Sequence, residues 1–275
     1  MKRVTTVLAV CMLRAGGAAA QELSPHEPHL VFSISAGLSN GSDLWTLPDH
    51  PQPVLGTPGF ADTMAISRVL RPGLIAGLAA SYYTSPHFGW TAEVTYFGLS
   101  SEQRCTGPTT YQPEADRINQ QACERAQGQH VATSIVGFMG GMTYRFFPDR
   151  RVEPFVRGVA GLGLLGNSYI VTSGDIHTTQ CQTADNLCTL TLVREETQSQ
   201  MTFVASLSAG LAYALSPGYR VRFEGRDLIT SLPVATGNGQ DVDPAIVATG
   251  RVIKNVFAFT IGLDIILEQR HTRRY

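Results

Sequence analysis

Histidines are the first residues to test for catalytic chemistry, because an imidazole titrates near neutral pH and can act as a general base. The chain has seven histidines, and none lies in a G-x-S-x-G or H-E-x-x-H context. His130 and His177 are the candidates for a lipid-modifying acyl enzyme, which needs a nucleophile, a base and an orienting acid. No such set is evident, so we expect both to be solvated loop or rim residues. We predict no catalytic residues, cofactor or metal.

Cysteines offer a second kind of chemistry. Apart from Cys11 near the N-terminus, the chain has Cys105, Cys123, Cys181 and Cys188. An even number in an exported protein favours disulfides, and three pairings are possible. The simplest joins Cys105 to Cys123 and Cys181 to Cys188, so that each bridge lies within one connection. A four-cysteine zinc site is the alternative, although the spacing lacks a C-x-x-C knuckle.

Export itself is predicted by residues 1–20. Lys2 and Arg3 form a positive end, Val4–Leu13 is a short apolar core, and Ala18–Ala20 is a small-residue cleavage site. Residues 21–275 would then form one domain. The formal charge of −1 gives no electrostatic reason to expect nucleic acid as a partner.

The elements that position these residues are eight segments of alternating side-chain character. The clearest is Met201–Leu215, where large apolar residues alternate with Ser, Thr, Gly and Ala over a length unusual for a globular strand. No stretch reaches the roughly 18 apolar residues of a membrane helix. The eight segments cover approximately residues 30–38, 74–82, 90–96, 132–146, 152–169, 201–215, 220–231 and 257–267.

Connections between the segments alternate in length. Three short turns lie at 84–88, 147–151 and 216–219, and four long loops lie at about 39–70, 101–129, 173–198 and 233–251. Outer-membrane barrels have short periplasmic turns and long extracellular loops. We therefore predict an all-β fold, an eight-stranded antiparallel up-and-down transmembrane barrel with both termini periplasmic. A lipocalin-like soluble barrel is the alternative, but it would leave the large apolar faces in water.

Charged residues fall on the face that carries the small residues. Ionised groups are costly in lipid, so we expect these side chains to point into the barrel and pair there as a polar plug. Catalytic carboxylates or an arginine-lined anion path are the sharper alternatives. The residues are Glu93, Arg145, Glu153, Arg157, Arg222, Glu224, Arg226 and Asp264.

The C-terminal third resembles the small OmpA-like bacterial outer-membrane β-barrel domain family. Thr260, Gly262, Ile265 and Leu267 match the terminal-strand assembly signal of such barrels, and 222–227 followed by 255–263 resembles the last hairpin. The resemblance implies that the barrel assembly machinery recognises the final strand. One departure is that 268–275 continues as a polar tail where the family often ends on an aromatic residue.

These observations favour a monomeric, non-enzymatic outer-membrane barrel surrounded by membrane lipids and lipopolysaccharide. Its role would be structural, or an interaction at the cell surface through disulfide-stapled loops, since rigid scaffolds commonly present function on loops. The alternatives are a narrow passive channel for small solutes and a lipid-modifying outer-membrane enzyme.

Overall fold

The computed structural model describes residues 29–41, 43–53, 61–107, 115–148, 150–166, 170–177, 187–195, 201–216, 218–239 and 245–267. The elements are, in chain order, β1 (His29–Asn40), β2 (Asp43–Pro53), β3 (Ala61–Arg71), β4 (Gly73–Tyr83), β5 (Phe88–Thr106), α1 (Ala115–Ala126), β6 (His130–Arg145), β7 (Val152–Leu165), β8 (Thr172–His177), β9 (Leu187–Glu195), β10 (Met201–Ser216), β11 (Tyr219–Gly239) and β12 (Ile246–Leu267). The predicted export signal at 1–20 lies outside the described residues. Within the described part of the chain, no helix is long and apolar enough to cross a membrane.

Eight strands close into a ring in the order β1, β4, β5, β6, β7, β10, β11, β12. Neighbours around the ring pair antiparallel. The seam between β12 and β1 runs from Leu30 opposite Leu267 to Asn40 opposite Phe257. Each ring strand overlaps one of the eight alternating segments, so the predicted eight-strand ring is confirmed. Closure pairs the backbone at the seam, where an open sheet would leave free edges.

The ring has apolar side chains outside and a buried, partly charged interior. On β12 the outward positions from Phe257 to Leu267 are all apolar, while Thr260 and Asp264 are buried inside. The same alternation runs along β4, where Leu74, Leu78 and Tyr82 are exposed. A period of two on a closed sheet produces this separation directly.

Beyond one end of the ring the chain builds a second folded layer, which we call the cap. It comprises β2, β3, α1, β8, β9 and the ends of β5, β11 and β12 that extend past the ring. The hairpin β2–β3 pairs with β5 from Ala65 opposite Thr106 to Arg71 opposite Ser100. The hairpin β8–β9 joins β12 through a short parallel pairing at Ile246 and Val247.

The expectation of four long loops needs correction, because strands and a helix occupy most of the long connections. The connection at 39–70 holds β2 and β3, that at 101–129 holds the end of β5 and α1, and that at 173–198 holds most of β8 and β9. In the fourth, β11 continues to Gly239 and β12 begins at Ile246. The strands can extend past the ring because their edges find new partners in the cap. The short turns stay short and lie at the opposite end of the ring.

Candidate functional site: the lumen and the cap

The lumen contains the charged residues that the small-residue face carries in the sequence. Glu93 on β5 is the first of two central carboxylates. Its Oε1 pairs with Arg226 and accepts a 2.5 Å hydrogen bond from Thr95 Oγ1. Its Oε2 lies 3.3 Å from Nη1 of Arg157. Both guanidinium groups and the carboxylate are almost completely buried. Glu93 therefore holds β5, β7 and β11 together across the ring.

Glu224 on β11 is the second central carboxylate. Its Oε2 lies 3.0 Å from Arg226 Nη2 and 3.3 Å from Arg222 Nε, and its Oε1 lies 3.9 Å from Arg157 Nη1. Ser208 Oγ donates a 2.6 Å hydrogen bond to the same Oε1. Glu93 and Glu224 thus share two arginines, which links all the charges at the centre into one network.

A further group of charges lies towards the short turns, at what we call the inner rim. Arg220 Nη1 lies 2.5 Å from Glu153 Oε2, and Arg145 Nη1 lies 3.5 Å from the same oxygen. The Arg145 guanidinium also stacks on the Tyr83 ring, 3.6 Å from its centroid. These contacts tie β4, β6, β7 and β11 together where the ring is flanked by turns.

Arg222 and Asp264 connect the inner rim to the centre. Arg222 Nη1 lies 3.1 Å from Asp264 Oδ1 and donates a 3.0 Å hydrogen bond to Ser33 Oγ on β1. Every residue predicted for the interior charge network thus lies in the lumen, and every one forms at least one ion pair. Among the described residues no group of three or more His, Cys, Asp or Glu side chains could hold a metal ion.

Arg220 belongs to this network but was missed by the sequence analysis. Its position was available, because Arg220 has the same parity as Arg222, Glu224 and Arg226 on one strand. An arginine next to a turn is ordinarily solvated, so residue type and position alone do not predict its ion pair with Glu153.

The half of the lumen nearer the cap is filled differently, by large apolar side chains. Phe97, Ile135 and Leu228 are buried there, in one cluster with cap residues such as Ile66 and Leu192. The expectation of an interior face of small residues is therefore wrong for this half. The reason is that the cap covers this end of the ring. Apolar side chains that point inward there pack against the apolar side chains of the cap and are shielded from water.

The cap is stabilised by polar contacts as well as by this core. Arg68 on β3 is buried and donates to Gln103 Oε1 at 2.7 Å, Thr172 Oγ1 at 3.0 Å and the Val171 carbonyl at 3.1 Å. Those bonds link both cap hairpins to β5. Arg68 was not singled out in the sequence because its strand was expected to be part of a loop.

His50 on β2 is the buried histidine of the cap. Its Nε2 lies 2.8 Å from the Leu192 carbonyl on β9, which acts as the acceptor, while Nδ1 has no partner within the described residues. Burial lowers the pKa of His50 below its usual value, and the hydrogen bond to Leu192 opposes that change. The ring is therefore neutral in the folded cap at neutral pH.

The cysteine predictions are resolved at one bridge. Cys105 at the end of β5 is bonded to Cys123 of α1, with their Cα atoms 5.4 Å apart. This confirms that pairing. Cys188 on β9 is also disulfide-bonded, and Cys181, its predicted partner, lies outside the described residues.

The two candidate catalytic histidines lie apart from the carboxylates of the lumen. His130 begins β6 and is exposed, and His177 ends β8 rather than lying in a loop. Each lumen carboxylate is paired with at least one arginine, and a guanidinium supplies no base for a nucleophile.

The four residues of the predicted assembly signal lie on β12 at the seam. Thr260 and Gly262 face the lumen, whereas Leu267 faces outward and Ile265 is half-buried on that side. A Cβ on Gly262 would lie 2.8 Å from the Ile34 carbonyl oxygen, so the close approach of β1 requires glycine there. Recognition of this strand by an assembly machinery stays a prediction.

No family model matches the sequence, and no curated protein matches it. Among solved structures, the chain is similar to the outer membrane protein OprG from Pseudomonas aeruginosa, at 10% identity and a TM-score of 0.42, covering 87% of this chain and 96% of that one. It is similar to outer membrane protein AlkL in DMPC lipid bilayers, at 11% identity and 0.41, covering 95% and 100%. It is also similar to Neisserial surface protein A, at 9% and 0.38, covering 86% and 96%. Likenesses at this level carry no inference about activity, and the OmpA-like resemblance stays a prediction.

Proposed function

We propose that this chain is an integral outer-membrane barrel whose lumen is closed and which holds a folded cap at the cell surface. Its role is structural, or an interaction through the cap, and it is not enzymatic. The observation that carries the proposal is the inverted polarity of the ring, with charges buried inside and large apolar residues exposed outside. Water would penalise that exposed surface, whereas lipid would accommodate it.

The height of the apolar belt supports placement in a bilayer. On β12 the outward residues from Phe257 to Leu267 span eleven positions and are all apolar, which matches the roughly 9–11 residues of a transmembrane strand. Trp90, Tyr144 and Tyr219 are exposed near the short turns, where an aromatic girdle would lie at the interface.

Asp227 supports the position of the outer boundary. It is opposite Phe257 across the β11–β12 pairing and accepts a 3.1 Å hydrogen bond from Asn255. On β11 and β12 this polar pair thus interrupts the outward apolar surface close to the level where the cap begins. Lipopolysaccharide and phospholipid would surround the belt below this level.

Two separate groups of side chains fill the lumen, and the proposed closure rests on both of them. The arginine–carboxylate network occupies the centre and inner rim, and the apolar core continuous with the cap occupies the outer half. A passive channel would need a continuous polar path through both. The proposal therefore predicts that the reconstituted protein shows no steady ionic conductance in planar bilayers, and sustained open-channel currents would contradict it.

Labelling of a single residue can test whether the cap faces the outside of the cell. Lys254, on the cap side of β12, is the only lysine beyond the predicted export signal, and its Nζ donates to the Asp43 carbonyl at 2.8 Å. A membrane-impermeant amine reagent should label intact cells at Lys254, and Lys254→Arg should abolish that labelling. A matched variant combining Lys254→Arg with Thr189→Lys, an exposed cap position, should restore it. Labelling that appears only after cell lysis would contradict the proposed orientation.

A further inference from the structure

The inner rim contains a small cavity that no role has yet explained. It measures about 20 Å³, which is about the room that one water molecule or one monatomic ion occupies. Its lining includes Ser33, Tyr83, Arg145, Arg222 and Asp264. The cavity lies between the central ion pairs and the short turns, on the side away from the cap.

The charges around this cavity do not balance. The network of ion pairs contains the five arginines 145, 157, 220, 222 and 226, and the four carboxylates 93, 153, 224 and 264. Among the described residues of this network one positive charge is therefore in excess, in a region shielded from bulk water. An uncompensated buried charge is costly, and a bound counter-ion would lower that cost.

Arg222 and Arg145 also have hydrogen-bond donors to spare. Nη1 of Arg222 donates to Ser33 Oγ and lies 3.1 Å from Asp264 Oδ1 without forming a hydrogen bond with it. Among the described residues Nη2 has no hydrogen-bond partner, and neither does Nε of Arg145. Both side chains are more than nine-tenths buried and line the cavity. Buried guanidinium donors are strong ligands for anions, and nearly all buried polar groups in folded proteins have a partner.

We propose that the inner-rim cavity binds one small inorganic anion of the chloride class. The anion accepts hydrogen bonds from Arg222 and Arg145 and neutralises the excess charge of the network. Its binding stabilises the closed lumen from the turn side, as the apolar core does from the cap side. The site goes beyond the proposed function, since it does not depend on what the cap contacts.

Bromide is the probe for this site, because it resembles chloride and scatters X-rays anomalously. Crystals of the full-length protein grown in sodium bromide should show an anomalous peak in the cavity beside Arg222 and Arg145. Arg222→Met, which keeps much of the side-chain length, should lose the peak. Arg104→Met, an exposed cap substitution, should keep it. A wild-type cavity without bromide, or peaks only at the surface, would overturn the proposal even if the Arg222 variant failed to fold.

A solution measurement excludes binding that occurs only at crystal concentration. The unfolding temperature of the wild-type protein should be higher in sodium bromide than in sodium gluconate at the same ionic strength, because gluconate is too large for the cavity. The difference should saturate with bromide concentration, as linkage to one site requires. It should be lost in Arg222→Met and retained in Arg104→Met. Equal differences in both variants would show general salt effects and overturn the proposal.

Discussion

Replacing Glu93 by glutamine should strongly destabilise the barrel. The substitution keeps the size of the side chain but removes the charge that Arg226 and Arg157 share. Glu224 then remains as the only central carboxylate between three arginines. The fold must therefore bury a positive charge that has lost its compensating carboxylate.

The expected size of the loss follows from the burial of the pair. Both Glu93 and Arg226 are about 1% exposed at the side chain. Removing one partner of such a buried pair costs about 3–5 kcal/mol, mostly because the other charge stays buried without compensation. Adding Arg226→Met should recover a large part of that cost, since the second substitution removes the stranded charge.

Urea unfolding of the protein reconstituted in lipid vesicles, followed by tryptophan fluorescence, measures these differences. The matched control is Glu102→Gln, which breaks the ion pair with Arg71 on the surface of the cap. An exposed pair contributes about 0–1 kcal/mol. If Glu93→Gln lowers the free energy of unfolding no more than Glu102→Gln does, the lumen network is hydrated and the reasoning is refuted. A double variant less stable than Glu93→Gln alone would refute it as well.

Three other perturbations test the belt, the strand packing and the cap. Leu78 is 60% exposed at the middle of β4. Leu78→Arg should lower the free energy of unfolding in lipid vesicles by about 2–4 kcal/mol. An unchanged free energy would mean that this surface does not contact lipid. Gly141→Ala would place a Cβ against a carbonyl oxygen of β7 and should cost about 1–3 kcal/mol, whereas Gly140→Ala points into open space and should change the unfolding midpoint little. Because burial lowers the pKa of His50, its contribution to stability is present above the unfolded-state value of about 6.5 and is lost as the pH falls through the folded-state pKa. Protease resistance of the cap should therefore fall on acidification, and a His50→Gln variant with the same acid dependence as wild type would assign that loss to other groups.

The ring was predictable because each of its strands obeys the period of two. Phe257, Phe259 and Ile261 alternate with small residues, and the same parity places Glu224 and Arg226 inside. The sequence pattern therefore determined both the eight strands and the facing of the charges. It could not determine which carboxylate pairs with which arginine, because those contacts join residues on separate strands at distances that depend on the closure of the whole ring.

The cap was not predictable by the same reasoning. β2 contains Pro48, Pro51 and Pro53, and its register with β3 shifts between Leu47 and His50. Proline is typical of turns and sheet edges, so the segment was interpreted as a loop. Its pairing with β3 and its packing against β11 compensate for that local preference.

Helix α1 was missed for a related reason. Its sequence, Ala115–Ala126, is mostly polar, and the apolar stripe of an amphipathic helix is reduced to a few small residues. Ala122 and Ala126 are fully buried, and Cys123 is bonded to Cys105. The tertiary contacts of the cap and the disulfide hold the helix in place, and neither is visible as a period in the sequence.

The most direct test of the account is an NMR measurement of which side chains contact lipid. In the isotope-labelled protein embedded in lipid nanodiscs, magnetisation transfer from acyl chains should reach Leu78, Leu207 and Phe259 on the belt. Transfer from water should reach Arg104 and Thr189 on the cap and should be absent from the belt. Water contacts along the belt, or acyl-chain contacts to the cap, would contradict a ring that spans the membrane and displays a folded cap outside it.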